Sequence, residues 1–525
     1  MASVLLCTEG TYPFVGGGVS TWCDILCRGL PEHEFVVYAL TGGPEVSLRF
    51  ELPTNVVGVV HVPLWGVAEP ADSLLADLPA QELRRRRRVT SPEVIENEFV
   101  PLLRRFLRGM SATEPPGSDR VAAAVRPEDG RLVWELWQYF RRHDWLLSWR
   151  ARCTWRAFCD ELLYDAAGDT KQPQTGEIIP SVAELATALR WLCSYLTPLS
   201  GEIPETDLVH ATIAGFPGLA GVVAKHERGT PFLVTEHGVW VRERYISISS
   251  GPFSLFEKRF LMDLSRYVAQ INYAEADVIS PVTNFNRRWE VASGVRPERI
   301  ETIVNGVDPG LFAPRAKPEH TAGRPVVVAA ARVFPLKDLE TMIRAAAVVR
   351  AELPEVEFLV YGSLDADPDY VARCRALIAE LGLEATYKLA GHHSNPVELY
   401  AEGDVTALSS ISEAFPYTVL ESMACARPVV ATDVGGVREA LEGFGIVVPP
   451  RDHDAFGRAL LLLLREPGLR QQLGRQAREA VLARYRVDGS VGAYRNLYER
   501  LGTRIGAAGK AAVAAPPTVH ALEAA

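Results

Sequence analysis

Short apolar runs recur along the chain, and each is followed by a stretch with helical spacing. The first three are SVLLC at 3–7, EFVVYA at 34–39 and VVGVVHV at 56–62. Runs this short, rich in β-branched residues, predict buried strands. A helix of about residues 19–30 fits between the first two. The pattern then breaks, and residues 66–200 read as a helical insertion. Strands resume at 207–210, 231–235, 277–280 and 300–303, with helices near 215–226, 252–274 and 283–293. Pro309, Pro314 and the Lys317–Pro325 stretch read as a linker.

A second alternating series begins at residue 326. Strands are expected near 326–331, 356–361, 386–390, 404–409, 428–431 and 446–448, and helices near 337–351, 368–381, 396–401, 416–425, 436–441 and 453–465. Apolar strands alternating with helices predict a parallel sheet covered on both faces. Right-handed crossovers then place every strand's carboxyl end on one edge. The expected organisation is an α/β chain of two Rossmann-like domains facing a cleft. Residues 1–312 form the first domain, with the insertion at 66–200, and residues 313–485 the second. A C-terminal helix at 486–502 crosses back to the first domain, and 503–525 is a disordered tail rich in Ala and Pro.

Composition narrows the classes. The 525 residues exceed what one core organises, which agrees with two domains. The net charge of −10 argues against a general nucleic-acid binder. Eight scattered cysteines without a CxxC pair suit reduced thiols, and no apolar run reaches membrane-spanning length. The start, MASVLLCTEG, reads as a first strand rather than a leader. The expectation is a cytoplasmic protein, peripheral at a membrane only through partners. Within the insertion, Arg84 to Arg88 read as a solvated helix face or mobile loop, or as a docking surface for anionic lipid or an acidic partner. Trp134, Trp137, Trp145, Trp149 and Trp155 read as core.

Candidate chemistry concentrates in LSSISEAFPYTVLESMACAR, residues 408–427. A strand runs into Ser409 and Ser410, and a helix starts near Pro416, a residue tolerated at the first helical position. A helix N-terminus carries roughly +0.5 of a charge and favours phosphate. Tyr417 and Thr418 supply its first amides. Glu413 sits before that anion site, and Glu421 lies a turn and a half inside the helix, in reach of a ribose. Arg332 and Lys337 follow the first strand of the same half and converge on the same edge. In the first half, Gly16, Gly17 and Gly18 make a strand–glycine loop–helix unit, and His237 follows a strand end. As bare motifs, a tight turn and a structural histidine remain open readings for these.

ARVFPLKD with Arg332 and Lys337, the Glu413-x7-Glu421 pair, NGVD at 305–308 and the N-terminal glycine loop resemble the retaining GT-B glycosyltransferases of family four. TEGTYPFVGGGVSTW, TEHGVWVRER, SISEAFPYTVLESM and VVATDVGGVRE are most similar to the PelF group of Pel exopolysaccharide glycosyltransferases. The resemblance implies that Arg332 and Lys337 bind the donor diphosphate, Glu421 holds the ribose, and Glu413 with the Phe415 backbone faces the donor sugar. It implies phosphate at Tyr417 and Thr418, Gly17 and Gly18 closing over the diphosphate, and His237 beside the transferred sugar. Glu413 and His237 are thus the catalytic candidates. The implied activity is transfer of a hexose or N-acetylhexosamine from a UDP-sugar co-substrate to a growing exopolysaccharide or oligosaccharide acceptor, with inner-membrane synthase components as partners. No cofactor and no metal are expected.

The pattern departs at Ala414 and Ala426, where relatives favour Gly, at Phe415, and at Gly362-Ser363. Asp365, Asp367 and Asp369 mimic a DxD metal motif in the wrong place. Two other readings stay open at this level. One is a nucleotide-sugar epimerase of similar build, and the other a non-catalytic nucleotide-sugar-binding subunit of a synthase.

Overall fold

The computed structural model describes residues 1–67, 73–112, 127–163, 179–393 and 395–506. Two parallel sheets organise them. The first holds β1 (Ser3–Glu9), β2 (Glu34–Thr41), β3 (Val56–Pro63), β4 (Leu208–Ala211), β5 (Phe232–Glu236) and β6 (Val278–Pro281) in the order β3-β2-β1-β4-β5-β6. The second holds β7 (Val326–Ala330), β8 (Glu357–Tyr361), β9 (Tyr387–Gly391), β10 (Val405–Leu408), β11 (Val429–Thr432) and β12 (Ile446–Val448) in the order β12-β11-β10-β7-β8-β9. All pairings are parallel. In each sheet the order reverses beside the first strand, and ligands of such sheets bind at the carboxyl ends there. Strands buried on both faces explain the near-continuous apolar runs: Val4, Leu5, Leu6 and Cys7 are fully buried. Two doubly wound parallel α/β sheets are thus present, as the alternation predicted.

Helices of the first sheet are α1 (Gly18–Gly29), α2 (Ala80–Val89), α3 (Val100–Ser111), α4 (Pro127–Arg142), α5 (Trp145–Arg150), α6 (Arg152–Leu163), α7 (Val182–Tyr195), α8 (Leu219–Arg228), α9 (Trp240–Ser250) and α10 (Leu255–Glu275). Then come α11 (Asn284–Ala292), α12 (Leu339–Glu352), α13 (Pro368–Glu380), α14 (Pro396–Glu402), α15 (Tyr417–Ala424), α16 (Val437–Leu441), α17 (His453–Arg465), α18 (Pro467–Arg484) and α19 (Val487–Gly506). The insertion does not fold apart from the sheet. Phe106, Trp137, Trp145 and Trp149 share one apolar cluster with Leu5, Val209 and Val234.

The chain divides into two compact units. The first contains Met1–Pro281 and Arg287–Thr302 and takes in the chain again from Arg495; the second contains Val282–Asn286 and Ile303–Tyr494. The division after Thr302 lies ahead of the expected position at 312. NGVD belongs to the second unit because Val307 bridges to Arg486 and Gly306 packs directly on the Arg486 carbonyl. In α19, Tyr498 is buried in the first unit on His210, and Arg495 pairs with Glu32 at 2.5 Å.

One expectation fails and two are refined. Residues 300–303 make no strand; a single bridge joins Ile300 to Ile279. The run contains Glu301 and Thr302, and Glu301 is drawn to Arg500 instead. The arginine run is a helix face, as expected, that stays exposed except at Arg86. Arg86 is buried and donates to the Phe140 carbonyl at 3.2 Å, Arg85 pairs with Glu82 at 2.6 Å, and Arg87 pairs with Asp144 at 3.1 Å. The helix expected at 252–274 is α10, and α9 precedes it. The tail expected at 503–525 starts later, because α19 continues to Gly506; residues 507–525 lie outside the described residues, as do parts of the insertion.

Candidate active site

In the second unit, β7 and β10 are neighbours, so the segments after them meet at the carboxyl edge. The β7 segment carries Arg332 and a 3-10 turn, Pro335–Lys337. The β10 segment carries Ser409, Ser410 and Glu413. Lys337 Nζ donates to Glu413 Oε1 at 2.5 Å, and Ser410 Oγ donates to the same oxygen at 2.6 Å. The two backbones are also stitched together. Ser409 Oγ donates to the Lys337 carbonyl at 2.8 Å, and the Ile411 amide donates to the Leu336 carbonyl at 2.9 Å. Both ionised side chains are largely covered, at 20% exposure for Lys337 and 10% for Glu413. Arg332 is exposed, with its guanidinium 5.1 Å from the Phe334 ring centroid. A cation is thus left facing outward beside a fixed ion pair.

The Glu413 loop is held from behind by the turn after β11. A Cβ on Gly435 would lie 1.8 Å from the Glu413 carbonyl, and Gly435 has φ +57°. The Gly436 amide donates to the Ala414 carbonyl at 2.6 Å, and a Cβ there would also collide with it. Only glycine allows this approach. Asn305 of NGVD donates to the Phe415 carbonyl at 2.9 Å. Glu439 on α16 accepts from Thr283 at 2.7 Å and from the Asn284 side chain at 2.9 Å. Ala414 does not adopt a positive φ, so glycine is not required there. Ala426 does, at φ 55°, a conformation that costs an L-residue about 1 kcal/mol. Gly362 is fixed by packing, since a Cβ there would meet the Ala331 carbonyl at 2.0 Å.

Pro416 is the N-cap of α15, with extended φ −72° and ψ 126°, and not its first helical residue. Tyr417 and Thr418 open the helix. One turn in, Glu421 accepts a hydrogen bond from Tyr400 Oη at 2.7 Å. Burial raises its pKa to about 7, and the tyrosine bond pulls it partly back. A carboxyl poised there gains strongly from hydroxyl donors, which favour its charged form. Tyr400, on α14, is missing from the sequence reading. Its signal was faint: a tyrosine at a helix position that apolar spacing assigns to core. Asp367 of the DxD-like run caps α13 by accepting from the Tyr370 amide at 2.9 Å.

In the first unit, His237 follows β5 and is buried. Trp22 of α1 packs edge-on against it, with ring centroids 4.5 Å apart. Its Nε2 is buried without a hydrogen-bond partner among the described residues. Burial lowers its pKa to about 3, so the imidazole is neutral. Beside it His210 is held by Tyr498 and Thr235, each at 2.7 Å, and burial likewise keeps it neutral. Glu236 is fully buried and raised to about 8 by burial; Tyr273 Oη donates to it at 2.9 Å and the Ala214 amide at 3.0 Å. Gly17 caps α1 at φ 154°, which requires glycine, and Gly18 is the first residue of that helix.

The structure therefore brings Arg332, Lys337, Glu413, Phe415, Tyr417, Thr418 and Glu421 to one edge of the second unit. It places His237, Gly17 and Gly18 at the equivalent edge of the first. Sequence reasoning passed over the roles of Ser410, Tyr400, Gly435 and Gly436, although the VVATDVGGVRE segment was singled out.

Comparison with known proteins gives the following. Residues 313–480 match the family described as Glycosyl transferases group 1. Residues 2–123 and 164–298 match a Domain of unknown function (DUF3492). The chain is 28% identical over 296 residues to D-inositol 3-phosphate glycosyltransferase of Thermobispora bispora, covering 53% of this chain and 68% of the relative. It is 29% identical over 337 residues to the enzyme of the same name from Acidothermus cellulolyticus, covering 57% and 71%. Among solved structures it is similar to HepE of Anabaena in complex with UDP, with TM-score 0.58 and 16% identity over 95% of this chain and all of that one. It is also similar to sucrose-phosphate synthase of Thermosynechococcus elongatus, with TM-score 0.59 and 18% identity over 96% and 99%.

Proposed function

We propose that this GT-B glycosyltransferase, with its glycosyl transferases group 1 domain at residues 313–480, moves a hexose or N-acetylhexosamine from a UDP-sugar to a growing exopolysaccharide chain. The observation that carries the reading is the Arg332, Lys337, Glu413 and Glu421 constellation, assembled at the carboxyl edge of that domain. The UDP bound to HepE and the glycosyl transfer named for the curated relatives support a uridine donor.

The chemistry follows from charge. A nucleoside diphosphate leaving group becomes more negative as the glycosidic bond breaks. Cations fixed in advance stabilise that charge, and removing one such donor costs about 3 kcal/mol. Arg332 faces outward for the distal phosphate oxygens. Lys337 is pinned by Glu413, itself held by Ser410, so it pays little entropy on meeting the diphosphate. The start of α15 adds its dipole. Glu421, tuned by Tyr400, receives the ribose hydroxyls. With this charge supplied by side chains and a helix, transfer proceeds without a metal. The sugar is retained by front-face attack, in which the departing phosphate oxygen takes the acceptor proton. Neutral His237 hydrogen-bonds the transferred sugar and is no proton donor at pH 7, because its pKa lies near 3. Gly17 and Gly18 leave room for the diphosphate, and membrane synthase components present the acceptor.

The test is UDP release from UDP-glucose, UDP-galactose, UDP-N-acetylglucosamine and UDP-N-acetylgalactosamine, with saccharide acceptors and EDTA present. Acceptor-dependent release from one of them, with an α-linked product, is expected. No release from any, or an absolute requirement for added divalent metal, contradicts the reading.

A further inference from the structure

Beside His237, assigned above to the transferred sugar, the carboxyl edge of the first unit carries polar atoms that the donor chemistry leaves unused. Glu9 Oε2, Thr11 Oγ1 and Arg244 Nε are each buried without a hydrogen-bond partner among the described residues, as is His237 Nε2. Glu9 ends β1 and Thr11 follows it, while His237 follows β5 and Arg244 lies on the next helix, α9; β4 runs between the two strands. Buried polar atoms are nearly always paired, and an unpaired one costs about 1–3 kcal/mol. Nearby Glu236 shows the ordinary case, with the Ala214 and Trp240 amides and Tyr273 Oη all donating to it. Four unpaired atoms in two adjoining segments therefore mark a place whose partners arrive from outside.

The neighbours of this set say what arrives. Arg244 acts on Glu9 electrostatically, donates to Tyr195 Oη at 3.2 Å, and lies 5.8 Å from the Tyr195 ring centroid. Tyr195 stacks on Phe216 at 4.4 Å and meets the edge of Trp65 at 5.4 Å. Trp65 and Tyr195 are only partly buried and form an aromatic shelf. Resting on that reading of the protein as a glycosyltransferase, we propose that Glu9 and Arg244, beside the Trp65–Tyr195 shelf, form its acceptor subsite and bind a neutral saccharide through two adjacent hydroxyls.

A vicinal diol matches the pair. One hydroxyl donates to the carboxylate while the other accepts from the guanidinium, and the sugar's C–H face packs on the aromatic rings. Burial brings Glu9 to about pH 7, so hydroxyl donors strengthen its charged form. The pair has no net charge when Glu9 is ionised. A phosphorylated acceptor would set its anion against Glu9, so a neutral saccharide fits better.

The experiment is saturation-transfer NMR on the full chain without donor. The probes are methyl β-glucoside, methyl N-acetyl-β-glucosaminide, methyl β-galactoside and a cellotriose, with inositol 1-phosphate and glucose 6-phosphate beside them. A neutral saccharide is expected to bind. Glu9→Gln, Arg244→Lys and Trp65→Ala should each weaken it at least tenfold, while UDP affinity stays within twofold of wild type. Trp65, partly exposed, keeps the test valid where a variant at Glu9 or Arg244 fails to fold. Binding of the phosphorylated probes alone, no binding of any neutral probe, or wild-type affinity in all folded variants overturns the proposal. Saccharide binding by a protein that does not bind UDP would instead remove the donor reading and leave this subsite standing.

Discussion

Lys337 and Glu413 make the sharpest single statement about the reaction, because each fixes the other at 2.5 Å before any donor arrives. Glu413→Gln should cut transfer at least 100-fold. UDP should still bind within about threefold of wild type, since Lys337 keeps its charge and loses a competing anion. Turnover and calorimetry on the same preparation check both halves. Glu421 gives a pH prediction. Its carboxyl is raised to about 7, and ribose hydroxyls favour the ionised form. UDP affinity should therefore rise from pH 6.5 to 8, and Glu421→Gln should flatten that rise. Tyr400→Phe removes a bond that lowers this pKa, so the rise should move to higher pH. A UDP affinity independent of pH in the wild type contradicts the ribose assignment. At this scale the sequence marked the candidate residues but not how they are held. Glu413 and Glu421 were visible as a spaced pair. Ser410 and Tyr400 were not, because a serine and a tyrosine in apolar surroundings look like packing.

The elements explain why glycines cluster after β11. Gly435 lets the next turn touch the Glu413 carbonyl, at a φ that L-residues avoid. Gly435→Ala should destabilise the second unit by about 2 kcal/mol or more and lose activity out of proportion to the remaining folded fraction. Thermal melts paired with turnover measure this, and a melt unchanged from wild type would contradict the proposed support. Strand and helix order was legible wherever apolar runs were bounded by glycine or proline, as in β7 to β12. Residues 300–303 misled because two apolar residues around Glu301 and Thr302 imitate a strand while a tertiary ion pair claims the glutamate. Pro416 misled by one position, since proline suits both the cap and the first turn, and only the dihedrals decide. The arginine run is the exposed helix face its charge suggested except at Arg86, whose burial on the Phe140 carbonyl only the fold reveals.

Across the whole molecule, buried carboxyls set the response to pH. Burial raises Glu290 to about 9, Glu236 to about 8 and Glu9 to about 7, each from 4.5. Glu290 has both oxygens buried without a hydrogen-bond partner among the described residues. Between about pH 4.5 and 9 these three carboxyls therefore hold more protons in the folded chain than in the unfolded one. Their contribution to stability falls as pH rises through that window, while the neutral His210 and His237 oppose that slope below about pH 6.5. Glu290→Gln should match wild type near pH 5 and exceed it at pH 8.5 in urea unfolding; an equal pH slope in the two proteins contradicts the assignment. The two-sheet architecture was plain from alternation alone. The merging of the insertion with the first sheet's core was not, since tryptophan spacing shows a buried face without showing what it faces. No helix among the described residues is long and apolar enough to cross a membrane.

The central claim is that the second unit holds a uridine diphosphate donor on Arg332, Lys337 and Glu421. Calorimetric titration with UDP, GDP and ADP, in wild type and in Lys337→Ala, tests it most directly. The account predicts saturable UDP binding, weaker GDP and ADP binding, and at least a tenfold loss of UDP affinity in the variant. No binding of any nucleotide, or UDP binding that the variant leaves unchanged, would contradict it.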